Sequence, residues 1–184
     1  MVVDPGADAE FIKMEVGNSK LKAIVCTHGH IDHVGQVRTL KSMYDTPFYM
    51  HRLDIPLMKD PIWPGFERQI KANLPCSEPD LFLEEGEELT VGRTRISVLH
   101  TPGHTQGHCC LYSQEEKLLI AGDLLFRGSV GRWDLPGGSL EDLRNSLRRV
   151  FGELPDDTLV VCGHYQETSI GYEKRFNPYL RDIL

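Results

Sequence analysis

No run of apolar residues in this chain approaches the length of a membrane-spanning helix, and the first residues show no basic start followed by an apolar centre. A membrane protein and a secreted one are both disfavoured, and a soluble, cytoplasmic protein is expected. Positive charge is in the minority: Lys plus Arg number 20 against 27 Asp plus Glu, a net charge of -7. Such a balance leaves no electrostatic footprint for a nucleic-acid partner. Cysteine is sparse and never spaced as CxxC. Cys26, Cys76, Cys109, Cys110 and Cys162 are odd in number, and four lie in apolar, strand-like surroundings. They read as buried free thiols of a reducing compartment, with a ligand role for Cys26 or Cys162 a minor alternative.

What is present is ordinary in bulk. The 184 residues are 40% apolar and 26% charged, which fits one soluble domain over residues 1–184 with a substantial core. The exception is Thr27-His28-Gly29-His30-Ile31-Asp32-His33, which follows the apolar run from Ala23 to Cys26. Imidazoles and a carboxylate bury little apolar area and must be satisfied when buried, so packing does not explain them. They read as metal ligands on a turn at the carboxyl end of a strand, where α/β proteins commonly place ligand sites. His28 and His30 can point one way while Asp32 and His33, from the next part of the loop, face a second ion.

Three later polar residues repeat the theme at the ends of apolar runs. They are His104 in Thr101-Pro102-Gly103-His104, Asp123 in Ala121-Gly122-Asp123, and His164 in Cys162-Gly163-His164. Each follows a glycine, which lets backbone turn sharply beside a crowded site. Adventitious binding by one His-rich turn would not require this repetition.

In that order, His28-x-His30-x-Asp32-His33, Thr101-Pro102-Gly103-His104-Thr105, Gly122-Asp123 and Gly163-His164 resemble the metallo-β-lactamase superfamily of binuclear metallohydrolases, from Asp4-Pro5-Gly6 to the C-terminus. The resemblance implies an α/β fold, the αββα sandwich of two mixed sheets flanked by helices, with N-terminal strands expected to be missing. It implies His28, His30 and His104 on one metal, Asp32, His33 and His164 on the other, and Asp123 bridging them. Asp4 would support the metal loop without ligating. The cofactors expected are two divalent ions, zinc first, with iron or manganese open because imidazole and carboxylate suit all three.

Along the chain, residues 7–16 suit a helix, 21–26 a strand, 35–44 a helix and 47–50 a strand, with His51 and Asp54 capping a short helix through Met58. Residues 60–80 hold Pro61, Trp63, Pro64, Phe66, Pro75 and Pro79. They read as a lid over substrate or as a surface loop anchored by its own aromatics. Strands are expected over 88–91, 94–99, 109–113, 117–121 and 159–162. Ser139 suits the N-cap of a helix to about Phe151. His100 and His108 flank His104 and read as supporting or structural.

The loop Phe126 to Gly138 carries Arg127 and Arg132 beside Asp123. A guanidinium there suits a substrate carboxylate, with Arg132 the first candidate and Arg127 the second; pairing of one of them with Asp134 is the alternative. Gly131-Arg132-Trp133-Asp134-Leu135-Pro136-Gly137-Gly138 and the ending Glu173 to Leu180 are similar to single-domain glyoxalase II-like proteins. That implies hydrolysis of a small-molecule thioester such as a hydroxyacylglutathione by a metal-bridging hydroxide, with Asp32 orienting the nucleophile. The helical C-terminal domain of full-length glyoxalase II is not expected. Alternatives are a mononuclear Fe(II) persulfide dioxygenase using His28 or His30 with His104 and Asp123, a lactonase-type hydrolase of the same fold, and a non-catalytic metal-binding protein.

Overall fold

The computed structural model describes residues 1–59 and 65–181, so Pro61, Trp63 and Pro64 of the expected lid lie outside the described residues. The backbone divides into two compact units, Met1–Leu83 and Glu84–Leu184. Each has its own apolar core.

In the first unit, strands β1 (Val2–Val3), β2 (Ile24–Val25), β3 (Phe48–Met50) and β4 (Leu81–Phe82) lie side by side in that order, every neighbouring pair parallel. Parallel strands need crossovers, and helices supply them. Helix α1 (Ala9–Val16) starts at Asp8, whose side chain accepts from Phe11 N–H. A single turn, α2 (Ile31–Val34), leads to α3 (Val37–Tyr44), and α4 (Ile55–Lys59) and α5 (Phe66–Gln69) follow β3. Val34, Val37 and Leu40 repeat at helical spacing and are fully buried beside Ile24, Phe48 and Met50. The strand expected over 21–26 is shorter, because only Ile24 and Val25 find ladder partners on both sides.

The second unit is built on a six-stranded sheet in the order β12-β11-β8-β7-β6-β5. These strands are β5 (Glu88–Val91), β6 (Thr94–His100), β7 (Cys109–Ser113), β8 (Leu118–Gly122), β11 (Leu159–Cys162) and β12 (Thr168–Ser169). Only β11 and β8 pair in parallel, so this sheet is mixed. A two-residue-strand hairpin, β9 (Leu125–Phe126) with β10 (Ser129–Val130), occupies part of what the sequence suggests is open loop. Helix α6 (Leu140–Glu153) begins at Ser139, whose hydroxyl accepts from Asp142 N–H, as the capping pattern predicts. Leu143, Leu147, Val150 and Phe151 are its buried stripe. Helix α7 (Ile170–Phe176) closes the unit.

Glu85 ties strand to helix: its carboxylate receives Arg149 Nη2 at 2.5 Å and the His100 amide at 2.7 Å. The Arg149 hydrogen bond, working against partial burial and helped by the His100 amide, holds the Glu85 carboxyl below its ordinary range. This clamp fixes the end of β6, from which the Thr101–His104 turn departs. No described helix is long and apolar enough to cross a membrane.

Candidate metal centre

In the first unit, the expected ligands follow β2 directly. His28, His30 and His33 are buried to within a few per cent of completely. Asp32 and His33 belong to α2 rather than to open loop, which corrects the expectation of one continuous turn. The helical turn separates them from His28 and His30 and sets His33 Nε2 3.8 Å from Asp32 Oδ2.

Asp4 organises this cluster. Its Oδ1 accepts Thr27 N–H at 2.7 Å, and its Oδ2 accepts the Thr27 hydroxyl at 2.7 Å and His33 Nδ1 at 3.0 Å. Because the Thr27 hydroxyl donates to Asp4, its lone pair accepts from His28 Nδ1 at 3.0 Å. His28 and His33 therefore both carry the proton on Nδ1 and the lone pair on Nε2. A second carboxylate, the fully buried Asp54, accepts the Gly29 amide at 3.0 Å. His51 caps the short helix that carries Asp54, accepting from Leu53 N–H.

In the second unit, Asp123 Oδ2 lies 3.5 Å from His104 Nε2 and 3.6 Å from His164 Nε2. Two donors about 2.0–2.2 Å from a shared tetrahedral ion stand roughly 3.4 Å apart, so one carboxylate oxygen has a metal-sharing distance to each imidazole. His104 Nδ1 donates to the Arg132 carbonyl at 2.8 Å, which again leaves the lone pair on Nε2. His104 is buried, whereas His164 is 43% exposed.

His108 is not a ligand in this arrangement. Its Nε2 accepts the Asp123 amide at 3.0 Å, and its Nδ1 bonds to the Thr101 hydroxyl at 2.9 Å. It seats the backbone of Asp123. His100 is also structural, with Nε2 2.9 Å from the Gln106 carbonyl.

Two close approaches explain glycines near these ligands. A Cβ on Gly6 would lie 1.5 Å from the Asp32 carbonyl oxygen, and one on Gly131 would lie 1.7 Å from the Asp123 carbonyl oxygen. Only hydrogen at the α-carbon leaves room for that backbone.

All five cysteines are free thiols. Burial, reinforced by Asp4, pushes Cys26 well up, and burial pushes Cys162 up to about 11. Among the described residues, neither thiol belongs to a cluster of groups placed to share an ion. The clustered donors are imidazole and carboxylate, which fit zinc, iron or manganese.

Arg132 is exposed and forms a bidentate pair with Asp134, Nε to Oδ1 at 2.9 Å and Nη2 to Oδ2 at 3.0 Å. This is the loop brace that the sequence offered as the alternative to a substrate clamp. Arg127 lies exposed in the β9–β10 turn with its guanidinium carbon 5.0 Å from the Tyr172 ring centroid. Tyr165, 84% exposed with φ +66, was not indicated by sequence; its ring packs edge-on to Phe126 at 5.6 Å.

A family model described as the metallo-beta-lactamase superfamily matches residues 1–164. The chain belongs to that superfamily. It is 36% identical over 182 residues to the hydroxyacylglutathione hydrolase GloC of Haemophilus influenzae, covering 97% of this chain and 86% of that protein. The crystal structure of TTHA1623 in a di-iron-bound form superposes with a TM-score of 0.86 at 40% identity, covering 96% of this chain and 87% of that one. ETHE1 from Myxococcus xanthus gives a TM-score of 0.73 at 27% identity, with 94% and 71% covered. The superfamily protein has the mixed α/β metallo-beta-lactamase fold and is a metal-dependent hydrolase by membership.

Proposed function

We propose that this superfamily member hydrolyses a small-molecule thioester of the hydroxyacylglutathione type at a binuclear centre. His28, His30 and His104 would hold one divalent ion, Asp32, His33 and His164 the other, and Asp123 both, with zinc the first expectation. The observation that carries the metal reading is the tautomer pattern. Three imidazoles give Nδ1 to internal acceptors and keep the Nε2 lone pair, the arrangement by which proteins orient metal-binding histidines.

Ions bound there supply positive charge that acidifies water and polarises a carbonyl oxygen. The chain's own contribution is positional. Asp32 accepts a hydrogen bond from the attacking water and aims it, while Asp4 and the Arg132 carbonyl keep the imidazoles from turning. A thiolate leaves without needing a proton, which suits a site whose named groups include no dedicated general acid. The GloC relative supports the glutathione thioester as the first substrate to try.

The arginines are proposed to set acid preference. Arg132 shares its guanidinium with Asp134, so a substrate carboxylate must compete for it, while Arg127 is presented at a turn over Tyr172. Arg127→Ala is expected to raise KM for an acidic thioester about tenfold, with a smaller rise for Arg132→Ala and little change for a neutral thioester. Equal changes on the acidic and neutral substrates would remove both residues from carboxylate binding.

The reading itself is tested by metal content, element by element, in protein purified without oxygen, followed by a thioester hydrolysis assay. About two ions per chain with turnover is the expected result. About one iron per chain, with oxygen uptake on glutathione persulfide and no hydrolysis, would replace it with the dioxygenase reading. The di-iron form of a solved relative is the reason to resolve the elements.

A further inference from the structure

Helix α7 carries a carboxylate that the reaction does not use. Glu173 is fully buried and receives three donors: the Thr168 hydroxyl at 2.5 Å on Oε1, and the Gly128 amide at 2.9 Å and Asn177 Nδ2 at 2.8 Å on Oε2. A buried charge is retained at such a position only when its lone pairs are taken up.

The donors come from places that meet around His164. Thr168 opens β12, which pairs with β11, and His164 lies on the connection between those two strands. Gly128 lies in the β9–β10 turn, two residues after Phe126, whose ring is 6.0 Å from that of His164 and 5.6 Å from that of Tyr165. Asn177 Nδ2 also donates to the Ser129 carbonyl at 3.0 Å, so the same turn is held at both Gly128 and Ser129.

Of the two imidazoles beside Asp123, His164 is the more exposed. His104 is enclosed by packing and fixed through its own Nδ1, whereas the His164 side chain is 43% exposed. The Phe126 ring is a neighbouring wall for the His164 imidazole.

We propose that Glu173 is a positioning residue for the metal centre, locking the Phe126–Ser129 hairpin to the base of the His164 loop so that this exposed imidazole keeps its direction toward Asp123. The proposal rests on the metal reading above. It adds that one of the two ions, the one served by His164, depends on a side chain that touches no metal and no substrate.

The test is metal retention. Wild type, Glu173→Gln and Thr168→Val are loaded with zinc, and release to a chelating dye is followed at a temperature well below unfolding, with thermal melts in parallel. Glu173→Gln retains volume but replaces acceptor capacity with an amide donor facing N–H and O–H groups. Thr168→Val removes one donor and keeps the side-chain shape, and it decides the matter if Glu173→Gln does not fold.

The expected result is biphasic release, in which folded variants lose one ion about 10–100-fold more readily than wild type and the other at the wild-type rate. Both ions retained as in wild type by a folded variant would overturn the positioning role and leave the metal reading standing. Both ions loosened equally, in step with the melting temperature, would show Glu173 to be only structural. A wild-type protein that takes up no second ion would overturn the binuclear reading, and this proposal with it.

Discussion

Asp32→Ala is expected to lower thioester turnover by about two to four orders of magnitude while the protein stays folded and keeps part of its metal. The asymmetry follows from where Asp32 sits. It lies in the first turn of α2 and is less buried than the histidines beside it. Removing its carboxylate therefore opens no large cavity. The hydrogen bonds of Asp4 run to Thr27 and to His33 Nδ1, so that network keeps its acceptor when Asp32 is replaced. Activity is measured with a hydroxyacylglutathione and ions per chain by elemental analysis. Unchanged turnover would sink the role of Asp32 in aiming water. Loss of all metal together with activity would reduce Asp32 to a ligand only.

The second large effect belongs to Asp4, which touches no substrate in the proposed scheme. Asp4→Ala removes the acceptor for the Thr27 amide, the Thr27 hydroxyl and His33 Nδ1 together. Those donors are buried, and a charge-assisted network that loses its acceptor costs about 3–5 kcal/mol. Without Asp4 the Thr27 hydroxyl is also released to donate to His28 Nδ1, which would favour the tautomer with the proton on Nε2. Metal affinity is expected to fall about 10–100-fold along with stability. Denaturant unfolding of the metal-depleted protein separates the two effects. If its midpoint does not move while metal binding weakens, the network acts on the imidazoles alone. If neither changes, Asp4 is not the organiser of the loop.

The seven expected ligands stand out in the sequence because polar residues follow the apolar runs that form β2, β6, β8 and β11, and four of them stand within Thr27 to His33. Hydrophobic burial makes such interruptions conspicuous in a linear string. What orients the ligands was much less legible. The Arg132 carbonyl that fixes His104 is 28 residues away, and any residue at 132 has a carbonyl. His108 could be suspected from its place beside His104, but its bond to the Asp123 amide has no sequence signature. Glu173 entered only as the first residue of the ending Glu173 to Leu180, and beside Lys174 and Arg175 no local pattern marks it as buried. Its burial is decided by the Gly128 turn 45 residues earlier.

The same difference separates the elements that were expected from those that were not. Helix α6 announces itself through a cap and a repeating apolar stripe, and β11 through a continuous apolar run. The β9–β10 hairpin has two residues per strand, too few for alternation to register, so Phe126-Arg127-Gly128-Ser129 reads as loop. Helix α2 is one turn long and contains two expected ligands, so chemistry masked its periodicity.

The backbone contacts at Gly6 and Gly131 decide which residues those positions accept. The turns bearing Asp32 and Asp123 are seated against main chain, not against side chains that a mutation could trim or enlarge. Each placement is thus set within its own unit by a backbone-to-backbone approach. A single added methyl at either glycine would drive its α-carbon substituent into main chain and displace the turn that carries the carboxylate, so these two positions tolerate glycine alone.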